Sequence, residues 1–216
     1  MSRETGPSCK TCRRAGEKMF LKGDKCVSDK CVLPRRMEKE GPGRGGSGGK
    51  GGRRRGGRKL SAYSVQLREK QRVKSVYGIG ETQFHNYFRR AAKEPNTAEA
   101  LLNLLEIRLD NVVYRLGFAA SRSQARQLVT HGHITINGRK TDVASYLVRA
   151  GNVVGVKDEK GLKAVRTMLA NRDLPAATWL NLDKDNARGT VVRLPAKDDA
   201  QGMTANMQLI VELYSK

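Results

Sequence analysis

Two groups of residues carry side chains at spacings that chemistry can use. The first is Cys9, Cys12, Cys26 and Cys31, which read C-x2-C-x13-C-x4-C and hold every cysteine of the chain within a 23-residue span. Four thiolates satisfy a tetrahedral zinc ion, and each short pair lets one tight turn aim two sulfurs at a point. An iron–sulfur cluster would accept the same ligands. Four thiolates leave no open position for water, so a catalytic zinc is not expected here. The second group is Ser121, Arg122, Gln124, Arg126, His131, His133, Asn137, Gly138, Arg139 and Lys140. Arg122 and Arg126 stand at i and i+4 and project from one side of a helix whose Ala125, Leu128 and Val129 face inward. Guanidinium groups match phosphate with paired donors, the helix start at Ser121 adds backbone N–H groups, and the imidazoles near the turn can donate or stack. The plainer alternatives are a solvated basic face for the arginines and a helix-end cap for one histidine.

The elements that position these groups follow from pattern and caps. Ser61 starts a basic helix running to about Tyr77, with Arg68, Lys70, Arg72 and Lys74 on it and Gly78 to end it. Phe84, Tyr87, Phe88 and Ala91 fall at helical spacing before Pro95, and the two helices are expected to pack together. Thr97 is the expected cap of a Leu-rich helix, followed by one carrying Leu109, Val112, Val113 and Leu116 up to Gly117. The segment SRSQARQLVTHG is a further helix with Gly132 as its left-handed terminator. Ile134 and Ile136 then alternate before Asn137-Gly138, a type I′ hairpin signal. Further strands are expected around Ser145–Val148, Val153–Val156, Trp179–Leu182, Val191–Leu194 and Gln208–Tyr214, with a helix near Leu162, Val165 and Leu169. The architecture predicted is α+β: helices first, then a small antiparallel or mixed sheet with helices packed on it.

Charge narrows the partner. Lys and Arg number 42 against 21 Asp and Glu, a formal net charge of +21 with a pI near 10.3, which calls for a polyanion. Residues 41–59 hold Arg44, Lys50, Arg53, Arg54, Arg55, Arg58 and Lys59 among glycines and no acid, a composition expected to form a disordered basic linker. Such a tract contacts phosphates without reading their shape. No apolar run reaches membrane-spanning length, and the opening residues lack a signal-like apolar stretch, so a cytoplasmic protein without membrane contact is expected. No Gly-rich nucleotide loop, nucleophile with a plausible base or open metal site is seen, which opposes an enzyme. The cysteine spacing also lacks the Cys/His pattern of common DNA-binding fingers.

The run Leu105–Val156 resembles the RNA-binding module of the S-four ribosomal protein family. The cysteine pattern, Gln66–Ile79 (QLREKQRVKSVYGI), Gln83–Ala91 (QFHNYFRRA) and Leu209–Lys216 (LIVELYSK) are similar to bacterial members of that family. The resemblance implies a structural, non-catalytic constituent of the small ribosomal subunit that binds small-subunit rRNA at a helical junction of the 5′ domain and nucleates assembly there. Neighbouring small-subunit proteins, and mRNA near its entry path, are the other partners implied. Cysteine spacing and composition set off a metal-binding segment over residues 1–40 and a linker over 41–60, and the resemblance further implies a helical domain over 61–98 joined by residues 196–216 and a sheet-plus-helices domain over 99–195. Its junction-binding surface would draw on Arg68, Lys70, Arg72 and Lys74, and on Arg108, Arg115, Arg122, Gln124, Arg126, His131 and Lys140. Where many members have a short Pro-Gly-Gln-His-Gly stretch, this chain has the Gly/Arg tract, so contacts made there do not transfer. The same module also serves rRNA-modifying and translation-regulating proteins, which is the alternative function.

Overall fold

Helix caps set the boundaries in the computed structural model, which describes residues 6–34, 61–170, 177–196, 199 and 205–215. The chain forms two compact units, Met1–Gly80 with Thr204–Lys216, and Glu81–Met203. In the first unit, α1 (Ser8–Ala15) and α2 (Asp24–Val27) carry cysteines, and α3 (Ala62–Tyr77) is the longest helix. The Ser61 hydroxyl accepts from the Ser64 N–H, and Gly78 closes α3 at φ 62°, a conformation that glycine adopts without Cβ strain. Val73, Val76 and Tyr77 are buried along α3.

The end of the chain departs from the extended reading. Met207–Tyr214 is a helix, numbered α9 below, capped by the Asn206 side chain, which accepts from the Gln208 N–H. The run LIVEL is apolar enough to suit either period, so tertiary packing decides. Met207, Ile210 and Tyr214 share a helical face and Ile210 is fully buried. This helix packs on α3. Gln66 Nε2 donates to Glu212 at 3.1 Å, the Asn206 N–H donates to Glu69 at 3.0 Å, and the Lys70 ammonium lies 5.2 Å from the Tyr214 ring centre.

The second unit starts with α4 (Glu81–Ala91) and α5 (Thr97–Glu106), which pack on each other. Phe84, Tyr87, Phe88 and Ala91 are buried on α4, and Leu101, Leu102 and Leu105 on α5. Asn96, one residue before the expected Thr97, caps α5 by accepting from the Glu99 N–H. Next come α6 (Leu109–Arg115), α7 (Arg122–Thr130), β1 (Ile134–Ile136), β2 (Arg139–Lys140), β3 (Val153–Val156), α8 (Glu159–Ala170), β4 (Leu180–Asp183) and β5 (Arg188–Val191). The sheet runs β2-β1-β3-β5-β4, every pair antiparallel, with Ile134 opposite Val156 and Val154 opposite Gly189. Its core joins Val112 and Val113 of α6, Leu116 just after it, Val129 of α7 and Val165 of α8 to Ile134, Val154, Val191 and Trp179.

Residues 145–148 do not form the expected strand and contribute one isolated bridge, Arg108 to Leu147. Their backbone is used elsewhere: the Leu109 N–H donates to Tyr146 O and the Val148 N–H to Ile107 O, which brace the start of α6. The last strand lies at Arg188–Val191, and Val192 and Leu194 beyond it are exposed.

An acidic tie fastens the chain after β5. Arg193 donates to both Asp199 oxygens, at 2.6 and 3.0 Å, and Thr178 and the Ala196 N–H donate to the same carboxylate. Arg193 chiefly, opposed by burial and assisted by Thr178 and Ala196, holds the Asp199 pKa at about 2 against an ordinary 3.8. A lowered folded-state pKa contributes stability above the ordinary value and loses it as pH falls through the folded one. The stability gap between the native protein and Asp199→Asn is therefore expected to be full at pH 5 and to close between about pH 4 and pH 2, measured by urea unfolding across that range.

Candidate nucleic-acid interface

The sequence Ser121-x-x-Gln124 builds the start of α7. The Ser121 hydroxyl accepts from the Gln124 N–H at 3.3 Å, and Gln124 Oε1 accepts from the Ala120 N–H at 2.8 Å, close to a reciprocal capping box. Both side chains thus secure the helix end that presents Arg122 and Arg126.

The arginines of α6 and α7 are ordered by two interior carboxylates. Glu106 is fully buried and receives Arg115 in a paired contact, Nε to Oε2 at 2.9 Å and NH2 to Oε1 at 2.8 Å. Asp110 receives Arg108 in the same way, at 3.0 and 2.6 Å, and also Arg126 at 3.2 Å. Arg122 donates from Nε to Asn111 Oδ1 at 2.8 Å, and its guanidinium carbon stands 4.6 Å from the centre of the Tyr114 ring. Arg115, Arg122 and Arg126 are half-buried, so their planes are set by neighbours while part of each reaches the surface.

Arg108 corrects the sequence expectation. It is 0% exposed, bound to Asp110 on one side and to the Tyr87 hydroxyl at 2.7 Å on the other. Burial works against its charge, but Asp110 and Tyr87 outweigh that and raise its pKa. It is an interior ion-pair member and offers no surface to RNA in this arrangement. Asp110, Glu106, Asn111, Tyr114 and Tyr87 were not among the sequence candidates. The available signal was Glu106 and Asp110 themselves, two acids flanking Arg108 in an otherwise apolar stretch.

The hairpin follows α7 directly in the chain. Asn137 and Gly138 take φ 50° and 81°, the pair of positive angles that a type I′ turn needs. Asn137 is used structurally, its Oδ1 accepting from the Val153 N–H at 2.8 Å. Lys140 is exposed and its side chain passes over Gly132, where a Cβ would stand 2.3 Å from Lys140 Cε. Gly138→Val is expected to strain the turn by about 1–2 kcal/mol and to shift Lys140. Urea unfolding with RNA titration checks it; a variant of unchanged stability and affinity excludes the turn from the interface. His131 is exposed, 6.2 Å from the half-buried His133 ring, and His133 Nδ1 pairs with Asp158 at 2.9 Å. That contact, chiefly, lowers the Asp158 pKa. His133 therefore ties the approach to β1 to the start of α8.

The first unit presents its own basic residues on α3. Arg68 is exposed, Lys70 covers Tyr214, and Lys74 reaches Gln71 at 3.5 Å. Arg72 is paired with Glu69 at 3.3 Å and with Glu17, so it fastens the cysteine segment to α3. Arg44, Lys50, Arg53, Arg54, Arg55, Arg58 and Lys59 lie outside the described residues. Cys12 and Cys26 are buried, Cys9 and Cys31 half-buried, and none forms a disulfide. Among the described residues no group of three or more His, Cys, Asp and Glu side chains has the arrangement of a metal site. Among them, too, no helix is long and apolar enough to cross a membrane.

Comparison with known proteins places the chain. Residues 3–106 match the family described as ribosomal protein S4/S9 N-terminal domain, and residues 107–154 match the S4 domain. The chain is 47% identical over 218 residues to the small ribosomal subunit protein uS4 of Desulfitobacterium hafniense strain Y51, covering all of both chains. It is 46% identical over 218 residues to uS4A of Symbiobacterium thermophilum and 48% over 222 residues to uS4 of Geobacter sp. strain M21, again covering all of each. With the S4 domain beginning at the Arg108 ion pair and ending within β3, and with relatives aligned from end to end, the chain belongs to the small ribosomal subunit protein uS4 family.

Proposed function

We propose that this protein is a structural, non-catalytic constituent of the small ribosomal subunit that binds small-subunit rRNA in the cytoplasm beside other small-subunit proteins. One observation carries the reading: both family models match in order, and relatives named as small-subunit proteins run with the chain over its whole length. The geometry supplies a mechanism. Basic residues capture RNA electrostatically, and the arginines of α6 and α7, held by Glu106, Asp110 and Asn111, select a folded shape. A helical junction of the 5′ domain is the proposed target, and assembly would nucleate there. The Gly/Arg tract of residues 41–60 adds charge without shape selection, to rRNA or to mRNA passing nearby. Footprinting the purified protein on total small-subunit rRNA tests this: protection confined to one multi-helix junction is expected, and uniform protection of duplexes would overturn it.

The four cysteines are proposed to hold a structural zinc ion, an iron–sulfur cluster being the alternative. Their donor chemistry fits: four soft thiols lie in one short segment, Cys12 and Cys26 buried and Cys9 and Cys31 half-buried, and burial chiefly, opposed by the Met19 backbone, pushes the Cys12 thiol up. A dication supplies the charge that lets such crowded thiols ionise together. Cys9 and Cys12 on α1, Cys26 on α2 and Cys31 would be the ligands. Cys26→Ser is expected to lower bound metal from about one equivalent to near zero and to loosen the cysteine segment while the second unit melts unchanged. Elemental analysis and hydrogen exchange give the two readings; anaerobically purified protein holding neither zinc nor iron would refute the assignment.

A further inference from the structure

Asn111 is neutral, 1% exposed and connected on every side. Its Nδ2 donates to the Glu106 backbone carbonyl and to Glu106 Oε2, both at 2.8 Å. Its Oδ1 accepts from Arg122 Nε at 2.8 Å. Both amide hydrogens are thus committed inward, and the carbonyl is directed at a half-buried arginine on the next helix.

We propose that Asn111 is a positioning residue that fixes the guanidinium of Arg122 for shape-selective RNA recognition, acting as a neutral link between Glu106 and Arg122. The inference rests on the rRNA-binding reading above and names how one of its contacts obtains specificity. Two constraints define the plane of the Arg122 group: the Nε bond sets one edge, and the Tyr114 ring lies against a face. Glu106 Oε2 is shared between Asn111 and Arg115, so one carboxylate orients Arg115 directly and Arg122 through the amide. The two guanidinium groups are thereby placed relative to each other before RNA arrives. A fixed pair loses less side-chain entropy on binding and matches one spacing of phosphates, whereas mobile cations attract any polyanion equally.

Charge and position separate cleanly at this residue, because replacing Asn111 changes no charge. Filter binding would compare an rRNA fragment carrying the protected junction with a plain RNA duplex, for native protein, Asn111→Ala, Arg122→Ala and the double variant. Asn111→Ala is expected to weaken junction binding about tenfold, the ~1.4 kcal/mol scale of one charge-assisted hydrogen bond, with duplex affinity and its salt dependence unchanged. Arg122→Ala should lose at least as much, and the double variant no more than Arg122→Ala alone, because Asn111 acts through Arg122. Asn111→Ser enters the same cycle if the alanine variant fails to melt cooperatively. Additive losses, or native junction affinity in the Asn111 variant beside a loss in Arg122→Ala, overturn the positioning role while leaving rRNA binding intact. Native protein without preference for the junction would instead remove the rRNA reading and the inference together.

Discussion

Asp110→Ala is expected to cost the second unit about 3–5 kcal/mol, the range for removing one partner of a buried ion pair. Arg108 is 0% exposed and has Asp110 as its only carboxylate contact among the described residues, with the Tyr87 hydroxyl on its other side. Without Asp110 the guanidinium stays in the interior with its charge uncompensated, since an arginine does not deprotonate to escape. The Asn111 N–H also loses its 3.0 Å bond to Asp110, and Arg126 loses its anchor. Net charge becomes more positive, so attraction to RNA at long range rises. Any fall in junction preference would therefore come from lost structure. Urea unfolding measures the cost, and Arg108→Met added to Asp110→Ala should recover much of it, because an apolar replacement of both partners avoids the unpaired charge. An Asp110→Ala protein within about 1 kcal/mol of native stability would show that Arg108 finds water or another partner.

This pair also marks where sequence reasoning stopped. Local rules placed what is decided locally: Ser61 and Ser121 as caps, the terminators Gly78 and Gly132, and the Asn137-Gly138 turn all depend on residues within one helical turn or one hairpin. The apolar faces of α4 and α5 were legible for the same reason, a single period repeated. Direction across elements was not. Arg108 reads as a surface cation until Leu109 and Asp110 are turned inward at the start of α6, which depends on the backbone of residues 146–148. Those residues in turn read as a strand, because alternation does not reveal which partner will take their N–H groups. The C-terminal run gave the wrong period because its apolar residues are too dense to show one, and α3 chose for it. At the interface, arginine type and helix face were visible in sequence, but the side chains that orient them sit on a different helix and needed the fold.

Gly189→Val is expected to disturb both the core and the interface, for a reason of space alone. The glycine lies inside the sheet, opposite Val154 on one side and Leu182 on the other. A Cβ there would stand 2.2 Å from Leu116 Cδ2 and 2.5 Å from Cδ1, far inside contact distance. Leu116 is 1% exposed at the end of α6 and is enclosed by the core, so it has little room to turn away. Overpacking of this kind costs roughly 1–3 kcal/mol, and relief comes by lifting α6 from the sheet. That helix carries Asn111, Tyr114 and Arg115, so the displacement reaches the guanidinium groups that they hold. Leu116→Ala alone should destabilise by about 2–5 kcal/mol through the cavity it leaves. Combined with Gly189→Val, the larger residue on the strand fills part of that cavity. The double variant is then expected to be more stable than the sum of the singles predicts and to regain junction preference lost in Gly189→Val. Strictly additive stabilities, or a Gly189→Val protein with native junction preference, would mean that α6 docks on the sheet without depending on this glycine.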